Sequence, residues 1–290
     1  LKMTQEMTAL KTAIIERFGT PCAVIDLDLV ARNIVTAQER CDAVGLANRP
    51  HIKTHKSPVL ANLQIKAGAR GITCQKLGEA EVMANAGITD IIIATNLLGA
   101  ARSGRLAKLQ RRLPLKVCAD NTVSLSAYSQ AAAQAGRPMD VLIECETGQK
   151  RAGVETPKEA LTLAKVIRDD PHLNFAGLLF YPSLDSWSQT QVFFDHTAAG
   201  LSDLGLSAKI VSTGGTPNFS HIGSLKGATE HRAGTCIFND RMMIKAGVAT
   251  LEDCAFQVFT SVVSRGGSER GILDAGSKTL TSDSGGLDGF

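Results

Sequence analysis

Asp90-Ile91-Ile92-Ile93-Ala94-Thr95-Asn96 is a run of three isoleucines between polar residues. Successive side chains of a strand point to opposite faces, so this strand is apolar on both. A sheet with one wet face shows alternation; a run without it implies a parallel sheet covered on both sides. Val141-Leu142-Ile143 repeats the pattern. Working outward, β-rich runs occur at His51–His55, Gly71–Lys76, Asp90–Asn96, Leu115–Asp120, Asp140–Glu146, Asn174–Tyr181, Lys209–Gly214 and Glu230–Phe238. Amphipathic helical patterns lie between them, among them Leu29–Val44, Leu77–Ala86, Thr122–Ala135 and Gln189–Leu204. Gly45, Gly68, Gly87, Gly136 and Gly205 stand where helices should stop. Thr156-Pro157-Lys158-Glu159 has the spacing of a capping box with proline in the first turn.

Eight β/α units in series predict a (β/α)8 TIM-type barrel over residues 30–245. An open doubly wound sheet is the alternative, but no GxGxxG follows the first strand. Cys22–Asp28 reads as an extra strand before the first unit, and Ala255–Ser264 and Gly271–Thr281 as strands after the last. These predict a β-rich domain built from both chain ends, 1–29 plus 246–290. It looks incomplete, because the chain ends soon after a strand, at Ser284-Gly285-Gly286-Leu287-Asp288-Gly289-Phe290, and a missing C-terminal portion is expected.

With 290 residues, 44% hydrophobic and 20% charged, the composition is that of an ordinary globular protein. A net charge of +3 without a basic block argues against nucleic acid as a partner. No apolar run is long enough to cross a bilayer, and Leu1-Lys2-Met3-Thr4-Gln5-Glu6 does not read as a signal peptide. Seven scattered cysteines without a CxxC pair predict reduced thiols and a cytoplasmic location.

The chemistry-bearing stretch is Arg49-Pro50-His51-Ile52-Lys53-Thr54-His55-Lys56. If it is a strand, His51, Lys53 and His55 share one face. A lysine held among cationic or imidazole groups is suited to condense with carbonyls. A basic surface strand and a His/His metal site are the competing readings. In a barrel, reactive groups gather at the carboxyl ends of strands. There the fifth strand runs into Glu146-Thr147-Gly148-Gln149-Lys150-Arg151, and Tyr181 closes the sixth. The competing readings are an ordinary surface arginine for Arg151 and a core or rim aromatic for Tyr181. The seventh strand ends in Ser212-Thr213-Gly214-Gly215-Thr216-Pro217 and the eighth in Arg232-Ala233-Gly234-Thr235. Glycines and hydroxyls at those two turns can cradle a phosphate, or can form plain βα turns. Glu230 and Arg232 share a strand face, as an ion pair or as contacts to a cofactor nitrogen.

Those motifs, with Cys74-Gln75-Lys76-Leu77-Gly78-Glu79-Ala80-Glu81, resemble the D-threonine aldolase / D-serine dehydratase family along nearly the whole chain. These are fold-type III pyridoxal-phosphate (PLP) enzymes related to alanine racemase. The resemblance implies that Lys53 carries PLP, that Arg151 contacts its phenolic oxygen, and that Tyr181 lies near ring and substrate. It implies that Gly214, Gly215, Thr216, Gly234 and Thr235 hold the phosphate, and that Arg232 faces the pyridine nitrogen. Lys53, Tyr181 and His51 are the expected catalytic residues, and Glu230 is an expected cofactor contact. The expected function is a PLP-dependent lyase acting on small D-β-hydroxy amino acids, with aldol cleavage to glycine and an aldehyde. A D-serine or D-3-hydroxyaspartate dehydratase is the alternative; an amino-acid racemase or a non-catalytic PLP carrier is a further one. A homodimer is expected. There are two departures from the family pattern. Cys236 stands where relatives often have tyrosine, and no His with Cys or Asp follows Cys254 to bind the family's divalent metal (manganese, magnesium or zinc). The metal ligands are therefore expected outside this sequence.

Overall fold

The computed structural model describes residues 5–281, so Ser284–Phe290 and its expected truncation lie outside the described residues. Two compact units emerge: Asn33–Ile237, and the segments that flank it in sequence. In the flanking unit, β1 (Cys22–Ile25) pairs antiparallel with a strand at Phe256–Phe259. In the central unit β2 (Ala47–Asn48), β3 (Ile72–Cys74), β4 (Ile91–Ile93), β5 (Leu115–Ala119), β6 (Met139–Cys145), β7 (Leu173–Phe180), β8 (Ile210–Gly214) and β9 (Glu230–Arg232) form one parallel sheet. Its order is β2-β9-β8-β7-β6-β5-β4-β3. The two outer strands meet: Arg70 N–H donates to Asn48 O at 2.9 Å and Thr73 N–H to Pro50 O at 2.8 Å, beside a parallel bridge between His51 and Thr73. These bonds complete the ring of eight strands.

The isoleucine triplet shows why both faces are apolar. Ile91 and Ile93 pack in the large core with the helix residues Met83 and Leu106. Ile92 belongs instead to a small inner cluster with Cys118, Leu142, Leu179 and Ile210. The helices obey the local signals. Thr156 Oγ accepts from Glu159 N–H, and the Glu159 carboxylate accepts from Thr156 N–H at 3.0 Å. Gly136 ends its helix at φ 69°, a left-handed conformation that glycine adopts without a Cβ clash. No helix among the described residues is long and apolar enough to cross a membrane.

Several boundaries differ from the sequence reading. The His51–His55 run is not a strand: Ile52–Thr54 is a 3-10 turn capped by His51, whose Nδ1 accepts the Lys53 N–H. The period-two argument for a shared face therefore fails. The final barrel strand stops at Arg232 because Thr235–Ile237 forms another 3-10 turn. Phe256–Phe259 becomes β10, while β11 (Val262–Ser264) and β12 (Ile272–Leu273) form a separate antiparallel pair. A helix at Gln5–Phe18 precedes the extra strand.

Candidate active site

The carboxyl ends of the strands gather almost every residue singled out above. Lys53 stands in the turn after β2, open to solvent. Its pKa is nonetheless lowered, first by desolvation and then by the positive charges of Arg151 and Arg232. That is the neutral-amine bias a carbonyl-binding lysine requires. The Arg151 guanidinium lies 5.0 Å from the Tyr181 ring centroid and 3.9 Å from Glu144 Oε1. Gly215 (φ 108°) lies so near Tyr181 that a Cβ would come within 2.7 Å of the ring. At Gly214 a Cβ would stand 3.0 Å from Arg232 Nη2; at Gly234 it would stand 2.7 Å from His51 O. Thr216 Oγ1 accepts the Cys236 N–H at 3.2 Å, tying the two glycine turns together.

His51 and His55 do not flank the amine. Gln75 Nε2 donates to Ala94 O at 3.3 Å, so Gln75 Oε1 faces His51 Nε2 at 3.2 Å and that nitrogen carries the proton. His51 Nδ1 accepts the Lys53 N–H at 3.4 Å. Burial, aided by Lys53 and Arg232, lowers its pKa to about 3. Both nitrogens of this neutral imidazole are engaged, one with Gln75 and one with the backbone at the start of the Lys53 turn. His55 turns to Gln64 Oε1 and Ser57 N–H.

Glu230 is also held away from the mouth. Its carboxylate accepts from Arg49 Nε and from Ser212 Oγ, each at 2.7 Å. No ion pair joins it to Arg232, whose Nη1 donates to Ser212 Oγ at 2.5 Å and Nη2 to Phe180 O at 3.0 Å.

Glu144 was missed, although a glutamate directly after the apolar Val141-Leu142-Ile143 run of β6 was a legible signal. It lies two residues beyond Leu142 and shares its face, so it points into the barrel. Its pKa is raised by burial, against the opposing pull of Arg232 and Arg151. Glu146 shapes the next loop. Its carboxylate accepts the N–H groups of Gly148 at 2.5 Å and Arg151 at 3.0 Å. Desolvation raises its pKa, but backbone hydrogen bonds from Arg151, Lys150, Gly148 and Gln149 outweigh that and leave it lowered. With a folded pKa below the unfolded one, the loop gains stability above the ordinary glutamate range and loses it as pH falls through the folded value. In Glu146→Gln the acid limb of thermal midpoint against pH is expected to flatten. An unchanged acid limb would contradict this.

The alanine racemase N-terminal domain family matches residues 25–242. Over 283 residues the chain is 36% identical to a D-threonine aldolase from an Arthrobacter species, covering 93% of this chain and 74% of that protein. It is 35% identical over 281 residues to a D-threo-3-hydroxyaspartate dehydratase from a Delftia species, covering 92% and 73%. The crystal structure of D-threonine aldolase from Filomicrobium marinum matches with a TM-score of 0.84 at 32% identity, covering 91% of this chain and 76% of that one. The chain belongs to the D-threonine aldolase / D-serine dehydratase family.

Membership of this alanine racemase-like family implies PLP, and the residues present fit it. The donor set is a depressed lysine amine, two guanidiniums and two short turns whose first N–H groups, at Thr216 and Thr235, have no partner inside their own turn. Among the described residues, only two of the five Arg232 donors meet a protein acceptor. Gly215 N–H donates to Arg232 O at 2.7 Å. Among the described residues no group of three or more His, Cys, Asp or Glu is placed to hold a metal ion.

Proposed function

We propose that this family member is a PLP-dependent lyase that cleaves D-β-hydroxy amino acids, of the D-threonine type, to glycine and an aldehyde. The observation that carries it is the convergence of Lys53, Arg151 and Arg232 at the carboxyl ends of β2, β6 and β9, where the two guanidiniums help lower the Lys53 pKa. Lys53 would bind the cofactor carbonyl, and Arg151, over the Tyr181 ring, would face its phenolic oxygen. Thr216, Gly234 and Thr235 would hold the phosphate through backbone and hydroxyl donors, with Gly214 and Gly215 shaping the turn. Arg232 would face the pyridine nitrogen as a hydrogen-bond donor. When bound, PLP supplies the electron sink for charge left at the substrate α-carbon. The protein's part is to orient substrate over the ring, with Tyr181 beside the scissile bond and the Lys53 amine positioned to hold or move a proton.

A dehydratase is the second reading, favoured by nearly equal identity to the Delftia dehydratase, 35% against 36% for the aldolase. There Lys53 would take the α-proton. With D-threonine, D-serine and D-3-hydroxyaspartate as substrates, aldehyde and glycine release is expected. Ammonia and keto-acid release instead would transfer the chain to the dehydratases, and neither would overturn the proposal. We also propose a divalent-metal requirement: activity lost in chelator and regained with manganese, magnesium or zinc supports it, and chelator-resistant turnover contradicts it.

A further inference from the structure

We propose that Arg49 is a positioning residue for Arg232, acting through Glu230 and Ser212 along a buried chain of alternating charge. Arg49 has no exposed surface, yet it carries a full charge that the chemistry at the mouth does not use. Its Nε donates to Glu230 Oε2 at 2.7 Å and its Nη1 to Asp90 Oδ1 at 2.7 Å; Asp90 also receives Lys116 Nζ at 2.9 Å. Ser212 has a single proton, which goes to Glu230 Oε1 at 2.7 Å. Its oxygen is thereby left to accept from Arg232 Nη1 at 2.5 Å. Every hydrogen bond from Lys116 to Arg232 thus has a fixed direction.

The consequence concerns where Arg232 points. Glu230 and Arg232 are two apart on one strand and share a face, so a free Glu230 would pair with Arg232 directly. Such a pair would draw the guanidinium toward Glu230 and away from the mouth. Arg49 prevents this by holding the far carboxylate oxygen. Arg232, anchored among the described residues only at Ser212 and Phe180 O, keeps its remaining donors for a ligand. A lysine could not replace Arg49, because one ammonium cannot span Glu230 and Asp90 with the same fork.

This inference rests on the reading that Arg232 faces the cofactor ring, and the test separates the two. The holoenzyme is prepared as wild type, R49K, D90N and R232K, and the absorbance maximum of bound PLP, its dissociation constant and the thermal midpoint are measured. R49K is expected to bind PLP roughly tenfold more weakly with a displaced absorbance maximum, the scale of one misplaced charge-assisted hydrogen bond. D90N changes only the outer link, at a side chain one-third exposed, and is expected to shift both in the same direction by less. If R49K does not fold, D90N decides alone. Wild-type spectrum and affinity in the folded variants, with only the thermal midpoint lowered, would overturn the inference and leave Arg49 a structural ion pair. Wild-type spectrum and affinity in R232K would overturn the underlying reading.

Discussion

Lys53→Ala is expected to lower turnover of D-threonine by about 10³-fold or more, because the cofactor loses its covalent anchor and the reaction its amine. Lys56→Ala is expected to cost little more than about twofold, within what a surface ion pair contributes. Lys56 adopts φ 52°, and its ammonium is bound to Glu79 with more than half of the side chain exposed. Lys53, by contrast, has its ammonium form disfavoured by desolvation, Arg151 and Arg232. Steady-state kinetics on the two variants check the contrast. Equal losses, or a fully active Lys53→Ala, would contradict it.

Gly177→Val is expected to destabilise the protein on the order of 3 kcal/mol without touching a site residue. Gly177 sits in β7 just past a register shift, with φ 153°, and pairs with Ile210 of β8. Any Cβ there is driven into the Ile210 carbonyl oxygen. The strain falls on the parallel strand pair whose carboxyl ends carry Tyr181 and the glycine turn side by side. Chemical denaturation of the variant measures it, and a midpoint within error of wild type would contradict the assignment.

The sheet was legible because a parallel barrel demands what the sequence shows: Ile91, Ile92 and Ile93 are buried on both faces, and β/α units recur eight times. Gly136 and the Thr156 box were legible because helix ends depend on single local residues. The turn at Ile52–Thr54 was not. Alternating His, Lys and His imitates a strand, whereas the conformation is fixed by the His51 ring accepting a backbone N–H and by the proton that Gln75 dictates, 24 residues away. The role proposed for Lys53 rests instead on Arg151 and Arg232, whose charges reach it from the ends of β6 and β9. Arg49 and Glu230 are 181 residues apart, and no local pattern announces that they meet. Glu144 was the reverse case: its charge right after the Val141-Leu142-Ile143 run was visible, but its place near Arg151 needed the closed barrel.

Borohydride reduction of the PLP-loaded protein, followed by peptide mapping, tests the central assignment most directly. A pyridoxyl label on Lys53 alone is the expected result, because this amine is depressed and open to the mouth. A label on Lys56, on any other lysine, or on none would contradict it.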